Sequence, residues 1–304
     1  MPPAVADGHP PTARDHPCPI CASATLPAGV KAGSRTKRVF ALRRCATCGF
    51  GFVANPWTEY DLIYDEAYYE GRGSDPMIDY SFEFQADNTS VRAYEWSGWD
   101  RLVHALKPGR VKWLDFGCGC GTLVRYIASL KRDEIYGFDQ GAWALKARQH
   151  GVPVLTETEL SAHAGTFDVV TAVDVIEHVV EPLSMLAHCR QLLKPGGILF
   201  PITQNAGIVS REKMAAWRYV LPEIHVSFFT ADALARALRQ TGFEPIPLPR
   251  NSGWRDILRA RILKNLHVKR RNSLERLVPW TLATTLADSI LKMGQLPIGR
   301  AVSS

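Results

Sequence analysis

The chain has 304 residues, of which 46% are hydrophobic and 22% charged, with 23 Gly and 20 Pro. This composition excludes a collagen, a coiled coil and a wholly disordered chain, and the length allows one large core with small appendages. The formal net charge is +6, and residues 254–276 alone carry a surplus of that size. The rest is balanced, which argues against a globally basic nucleic-acid-binding protein, and no run reaches the about 18 apolar residues of a membrane span.

The first 17 residues contain five prolines and no apolar stretch. They predict a disordered leader over residues 1–17 rather than a signal peptide. Because the sequence shows no export signal, we expect the chain to work in the cytoplasm.

Residues 18–50 contain two Cys-x-x-Cys pairs, formed by Cys18 and Cys21 and by Cys45 and Cys48. Four thiolates at this spacing predict a tetrahedral structural zinc site with no open position for water. Two disulfides are the alternative, which the lack of an export signal disfavours. The role of the zinc module stays open between structural support, a cover for the substrate, and a grip on nucleic acid or protein.

Residues 51–109 are rich in aromatic side chains and are predicted to form a linker and helices that cap the site. The next segment, residues 111–121, gives the strongest signal of the sequence. A short apolar run that predicts a buried strand is followed by Gly117, Gly119 and Gly121, and then by the pattern of a helix. Strand, glycine turn and helix form a nucleotide-binding unit. The spacing G-x-G-x-G differs from the G-x-G-x-x-G of dinucleotide sites.

The next predicted strand ends in Asp139, whose carboxylate can accept hydrogen bonds from ribose hydroxyls. Further strands are predicted at residues 151–155, 167–173 and 198–202, with helices at 181–193 and 231–241. This alternation predicts an α/β fold with a doubly wound, mostly parallel sheet over residues 110–253. Residues 254–304 are predicted as a basic helical tail, with amphipathic spacing at Trp254, Leu258, Ile262 and Leu266 and again at Leu282, Leu286 and Ile290.

Four segments in this order, LDFGCGCG, GFD, FDVVTAVDVIEHV and LLKPGG, resemble those of a class I S-adenosylmethionine-dependent methyltransferase, over roughly residues 95–250. The chain is also similar to a branch in which a four-cysteine zinc module precedes the catalytic domain. That similarity rests on Asn55-Pro56, a tyrosine-rich segment at residues 64–69, and His225-Val-Ser-Phe-Phe-Thr230. The resemblance implies a Rossmann-like domain that transfers a methyl group to a small biosynthetic metabolite, for example a sugar or glycan precursor, on O, N or C.

The resemblance also implies roles for individual residues. Gly117, Gly119 and Gly121 would cradle the methionine portion of S-adenosylmethionine. Asp115 would brace the glycine loop, Asp139 would hold the ribose, and Asp174 would face the methionine end or the acceptor. The candidate catalytic residues are His178, His225 and Tyr69.

Each catalytic candidate has an alternative. His178 is either a base or a structural residue that only holds the strand-to-helix turn. His225 is either a base oriented by Glu223 or part of a strand end that leads into the next helix. Tyr69 either closes over the cofactor carboxylate, acts on the acceptor, or packs like an ordinary aromatic residue.

The function also keeps two alternatives. One is an RNA base methyltransferase whose zinc module and basic tail grip RNA, although no Asn/Asp-Pro-Pro-aromatic motif follows the fourth strand. The other is a catalytically silent protein that uses the fold for binding alone. Residues 254–276 could additionally contact an anionic membrane surface, and the oligomeric state stays open.

Overall fold

The structure is a computed structural model that describes residues 16–36, 38–75 and 79–302. All but the last two residues of the predicted leader therefore lie outside the described residues. The strands are β1 Thr25–Ala32, β2 Val39–Cys45, β3 Gly51–Val53, β4 Lys112–Phe116, β5 Glu134–Phe138, β6 Val154–Leu155, β7 Phe167–Val173, β8 Leu193–Ile202, β9 Ser227–Phe228, β10 Phe243–Ile246 and β11 Ile298–Ala301. The helices are α1 Tyr60–Ile63, α2 Tyr80–Phe84, α3 Arg92–Leu106, α4 Thr122–Ser129, α5 Ala142–Gln149, α6 Glu157–Ala162, α7 Pro182–Leu192, α8 Ala231–Gln240, α9 Trp254–Asn265 and α10 Trp280–Leu291.

The larger sheet has seven strands in the order β10-β11-β8-β7-β4-β5-β6. Strands β4 to β8 pair in parallel, because helices carry the chain back across the sheet between them. The chain runs outward from β4 through β5 to β6 and then resumes on the other side of β4 with β7. The carboxyl ends of β4 and β7 therefore form the switch point at which such sheets bind ligands. The predicted doubly wound α/β class is confirmed.

Strand β11 comes from the C-terminal end of the described chain and lies between β8 and β10 in this sheet. It pairs antiparallel with both β8 and β10, although more than 50 residues separate it from β10. The C-terminal segment is helical as predicted, and it also contributes this strand. Four residues with little alternation carry too weak a pattern to predict a strand at this position.

The smaller sheet has the order β1-β2-β3-β9 and is antiparallel. Its first two strands belong to the cysteine-rich segment and β3 directly follows it, at the start of the predicted linker, whereas β9 comes from the predicted catalytic domain. Phe50 and Phe229 are both fully buried, and their ring centroids are 4.8 Å apart. The two sheets therefore share one core instead of forming separate modules.

Helix α9 packs against α3 through buried apolar side chains, which include Trp254, Ile257 and Leu258. Gly253 and Gly98 lie at the crossing, where a Cβ on Gly253 would come 2.0 Å from the Gly98 carbonyl oxygen. Close approach at this crossing therefore requires glycine. Of the predicted apolar stripe, Trp254 and Leu258 are buried, but Leu266 is 66% exposed. The buried face of α9 continues through Ala260 and Leu263 instead, and it serves packing on the domain. Among the described residues, no helix has both the length and the apolarity needed to cross a bilayer.

Candidate active site

The glycine loop follows β4 and leads directly into α4, as the sequence predicts. Gly117, Gly119 and Gly121 have φ values of +76°, +54° and +72°, which L side chains rarely adopt. A Cβ on Gly119 would also lie 2.5 Å from the Tyr80 hydroxyl. The loop thus opens onto the first turn of α4, whose free backbone N–H groups attract anionic or polar ligands.

Asp139 lies beside this loop at the end of β5. Its carboxylate accepts hydrogen bonds from the Gly119 N–H at 2.9 Å and from the Gly141 N–H at 2.7 Å. A Cβ on Gly141 would lie 2.6 Å from the Tyr69 hydroxyl and 3.0 Å from the Asp139 carboxylate. The structure therefore places Tyr69 at the Asp139 end of the cleft and away from the two candidate histidines.

Asp115 is buried in β4 and accepts a 2.8 Å hydrogen bond from the Thr171 hydroxyl of β7. Burial raises the pKa of this carboxyl group to about 7. Asp115 thus joins the two strands whose carboxyl ends form the cleft.

Asp174 stands at the carboxyl end of β7 with a φ of +53°, which is unusual for a residue other than glycine. Both of its carboxylate oxygens accept hydrogen bonds from Nη2 of Arg261, at 3.0 and 2.9 Å. Arg261 belongs to α9, so the predicted tail reaches the edge of the cleft. Arg261 was not predicted as a site residue, because nothing in its local sequence pattern separates it from the other arginines of α9.

A second group of polar side chains lies beyond Asp174. One carboxylate oxygen of Glu177 and one ring nitrogen from each of His178 and His225 all lie within 4.8 Å of one another. The centroids of the two imidazole rings are 4.7 Å apart, in an edge-to-face arrangement. The structure thus brings together two candidates that are 47 positions apart in the sequence.

Glu177 is fully buried, and its Oε1 accepts a hydrogen bond from the Tyr219 hydroxyl. Its Oε2 has no hydrogen-bond partner within the described part of the chain. Burial, reinforced by the negative charge of Asp174, raises the pKa of Glu177 to about 8. The carboxyl group is therefore mostly protonated at pH 7.

The two histidines differ in their hydrogen bonds. His225 Nδ1 is 2.7 Å from the Tyr219 carbonyl oxygen, which can only accept, so Nδ1 carries the proton and Nε2 has a free lone pair. His178 Nδ1 is 3.0 Å from the Tyr64 hydroxyl. Burial lowers the pKa of both imidazoles, so both rings are neutral at pH 7. His225 is the better placed of the two to accept a proton.

The expectation that Glu223 orients His225 is wrong. The Glu223 carboxylate instead accepts hydrogen bonds from the backbone N–H groups and hydroxyls of Ser34 and Thr36, from the Arg35 N–H, and from the Ser74 hydroxyl. Burial alone would raise the pKa of Glu223, but these donors outweigh it and lower the pKa to about 2. Glu223 therefore ties the β1–β2 hairpin to the segment that carries His225.

Aromatic rings cover the cleft on the side of residues 60–84. The ring centroids of Tyr64 and Tyr68 are 4.9 Å apart, those of Tyr68 and Tyr69 are 5.2 Å apart, and those of Tyr69 and Tyr80 are 5.4 Å apart. Burial raises the pKa of Tyr69 to about 12, so this hydroxyl keeps its proton. The row connects the Asp139 end of the cleft to His178, and it explains the tyrosine-rich pattern of the sequence.

The four predicted metal ligands lie together at the outer end of the smaller sheet. The sulfur atoms of Cys18 and Cys48 are 3.6 Å apart, as are those of Cys21 and Cys48, and those of Cys21 and Cys45 are 3.4 Å apart. A tetrahedron with zinc–sulfur bonds of about 2.3 Å has edges of about 3.8 Å, so the spacing fits zinc. All four thiols are free, which disfavours the disulfide alternative.

The cysteine cluster is connected to the candidate site through the segment that follows His225. The Thr230 hydroxyl donates to the Cys48 carbonyl at 2.7 Å, and it also accepts from the Ala233 N–H as the N-cap of α8. Ser227 and Phe228 form β9, which pairs with β3. The His225–Thr230 motif therefore joins the cysteine-rich strands to the candidate site.

Comparisons with known proteins agree with this geometry. A family model described as a methyltransferase domain matches residues 91–248, which is just over half of the chain. The chain is 34% identical to a ubiquinone biosynthesis O-methyltransferase of Cereibacter sphaeroides, over 48% of this chain and 66% of that protein, slightly under two thirds of its length. It is 32% identical to the protein of the same name from Thiobacillus denitrificans, over 51% of this chain and 80% of that one.

Among solved structures, the chain resembles a 1,6-didemethyltoxoflavin-N1-methyltransferase of Burkholderia thailandensis. The TM-score is 0.43 and the sequence identity 20%, with 67% of this chain and 90% of that chain covered.

Proposed function

Because the chain belongs to the methyltransferase-domain family, we propose that it transfers a methyl group from S-adenosylmethionine to a small-molecule acceptor in the cytoplasm. The observation that carries the proposal is the position of Asp139, which lies against a three-glycine loop at the switch point of a parallel sheet. That arrangement suits a nucleoside whose ribose hydroxyls need a carboxylate and whose other end needs close contact with backbone.

The residues that would hold the cofactor are Gly117, Gly119 and Gly121, Asp139 and the row of tyrosines that ends at Tyr69. When bound, S-adenosylmethionine supplies a methyl group already activated by a positively charged sulfur. The protein therefore needs to align an acceptor with that group and to exclude water. The buried tyrosines suit the second task, and the Asp174–Arg261 ion pair lies at the edge of the same cleft.

We propose His225 as the base that takes the proton of the acceptor and His178 as its support. The support for this assignment is the lone pair on His225 Nε2, which has no hydrogen-bond partner among the described residues, whereas the His178 ring is engaged by Tyr64. A neutral, buried imidazole can accept a proton from a hydroxyl group at neutral pH. Tyr69 lies beside Asp139, at the end of the cleft proposed to hold the cofactor, and would help to cover the cofactor there.

The proposed acceptor is a hydroxyl-bearing small metabolite. Two of the similar proteins are named O-methyltransferases, and an imidazole base is useful only for a nucleophile that arrives protonated. Sugars and glycan precursors remain in the proposed class together with phenols, because rows of aromatic side chains bind both kinds of ring.

We further propose that Cys18, Cys21, Cys45 and Cys48 bind a structural zinc ion. The zinc would fix β3, the strand against which β9 and the His225 segment are built. Glu223 supports the same segment from the opposite end of the hairpin. The division into leader, zinc module, aromatic cap, methyltransferase domain and C-terminal segment remains our proposal, with the zinc module as an integral part of the site.

The RNA alternative is less favoured by the charges. Lys264 pairs with Glu83 and Arg261 with Asp174, so these two tail cations point into the domain, and Arg259 pairs with Glu275 inside the tail. A catalytically silent protein that only binds its ligand would not need a histidine whose Nε2 can accept a proton, so this alternative is also less favoured.

The test begins with calorimetric titration of the purified protein with S-adenosylmethionine, followed by a screen of phenols and nucleotide sugars for methyl transfer. The expected result is a single cofactor site and turnover of at least one hydroxylated acceptor. His225→Ala should then lower turnover by about 10²- to 10⁴-fold, and His178→Ala should have a smaller effect. Equal turnover by wild type and His225→Ala would overturn the base assignment, and absence of cofactor binding would overturn the proposed function.

A further inference from the structure

Helix α10 presents a row of large apolar side chains to solvent. Leu282, Leu286 and Ile290 are 67%, 57% and 59% exposed and follow one another at four-residue intervals. Leu274 and Leu277, in the turn that precedes the helix, are 70% and 81% exposed. We call these five residues the α10 apolar face. A concentration of exposed leucines on one element marks an interaction surface, whereas single exposed leucines do not.

The opposite side of α10 is fixed to the domain. The Arg259 guanidinium of α9 lies 4.6 Å from the centroid of the Trp280 ring, and Asp288 accepts a hydrogen bond from the Trp254 indole at 3.2 Å. Thr284 is the one residue of the helix that is fully buried. These contacts fix the rotation of the helix and leave the α10 apolar face directed outward.

Positive charge surrounds this face. Residues 264–292 have a formal net charge of +4, of which Lys264 and Lys269 pair with Glu83 and Asp79 of the domain. The only charged residue inside α10 is Asp288, which faces Trp254 and Arg250. The exposed side chains of Arg270 and Arg271 precede the helix, and that of Lys292 follows it. Arg271 and Arg259 both lie against the ring of Tyr94, so the basic segment is next to the start of α10.

We propose that the α10 apolar face binds the surface of an anionic lipid membrane, with α10 lying flat in the interface. Leucines on one side of a short helix and cations at both of its ends match an interface of acyl chains and anionic headgroups. A helix of 12 residues is about 18 Å long, which suits lying on a bilayer and is too short to span one. The proposed membrane-contacting segment is therefore residues 266–292 rather than residues 254–276, because the apolar side chains of α9 pack against α3.

The test is co-sedimentation of the full chain with vesicles of phosphatidylcholine alone and of phosphatidylcholine with 30% phosphatidylglycerol. Wild type should bind the anionic vesicles at least tenfold more strongly, and the difference should shrink as salt rises. The double variant Leu282→Asp/Leu286→Asp should lose at least tenfold in binding. Leu145→Asp, at a position that is 60% exposed on α5, is the matched control and should bind like wild type.

Cofactor calorimetry on each variant establishes that the fold is intact. Binding of wild type and the double variant to anionic vesicles in equal amounts would overturn the proposal. The proposal would also be overturned if wild type bound neither kind of vesicle and instead formed a dimer in solution, while the double variant was monomeric. That result would make the α10 apolar face a contact between copies of the chain.

Discussion

The two walls of the cleft are built in different ways. The glycine-loop wall consists of Gly117 to Gly121 and Asp139, and its geometry comes from backbone within one strand-loop-helix unit and the next strand. The histidine wall consists of Tyr64, Glu177, His178, Tyr219 and His225, which come from three separate segments. The first wall is local in sequence and depends on the large sheet. The second is assembled by tertiary contacts and depends on the cysteine-rich strands.

The largest expected effect is on the glycine-loop wall. Asp139→Ala removes the acceptor for the Gly119 and Gly141 N–H groups as well as the proposed ribose ligand. Because hydrogen bonds to a charged group contribute about 1.5–3 kcal/mol each, the affinity for S-adenosylmethionine should fall by about 100-fold or more. Calorimetry measures the affinity and circular dichroism checks the fold. Asp139→Asn, which keeps one acceptor oxygen, should lose less, and an unchanged affinity in Asp139→Ala would refute the assignment.

Removal of metal should separate the two walls. The cysteine cluster supports β3 and the His225 segment but makes no contact with the glycine loop among the described residues. Chelation or Cys48→Ser should therefore lower turnover by about tenfold or more while cofactor affinity is retained. The effect should be smaller than the about 10²- to 10⁴-fold loss expected when the general base itself is removed. Cys189→Ala, at a thiol outside the cluster, is the control. A parallel loss of cofactor affinity would show that the walls are not independent.

Glu223→Gln probes the tie between the hairpin and the histidine wall. The amide replaces an acceptor by a donor opposite several N–H and O–H donors, so the free energy of unfolding should fall by about 2–4 kcal/mol. Because the folded-state pKa of Glu223 is lowered to about 2, wild type should lose stability as pH falls from about 4.5 toward 2. The variant should lack that component, which denaturant unfolding at several pH values would reveal.

Glu177→Gln should have the smallest effect of the four changes, and it should stabilise the protein instead of impairing it. The folded-state pKa of Glu177 is raised to about 8, so its contribution to stability is full below the unfolded value of about 4.5 and is lost as pH rises through 8. The variant keeps an acceptor for Tyr219 and cannot ionise, so its melting temperature should exceed that of wild type by about 2–4 °C at pH 8. The two proteins should differ less at pH 5. A reversed order would show that Glu177 is held as a carboxylate.

The contrast between the walls also explains what could be predicted from the sequence. The glycine loop, Asp139 and the parallel strands depend on apolar runs and glycine spacing, which are local signals, and the structure contains all of them. Two strand bounds differ, because β6 covers only Val154–Leu155 of the predicted residues 151–155 and β8 begins at Leu193, five residues before the predicted start. Tyr64, Tyr219 and Arg261 were missed because each gains its position only when distant segments pack together. Glu223 was assigned to the wrong neighbour for the same reason. Its proximity to His225 in sequence says nothing of the hairpin loop, nearly 190 positions away, that supplies its donors.

The position of β11 has a consequence for how the chain acquires its structure. Residues 298–301 fill the gap between β8 and β10, so β10 has no partner in the sheet until they arrive. During synthesis the ribosome must pass residue 301 before this edge can close, and until then the flank of β8 offers an unpaired backbone to other chains. Translation that stops shortly before this point would leave the glycine loop and both histidines encoded in a product prone to aggregation. Assembly of the sheet is thereby tied to the completion of residues that play no part in the chemistry.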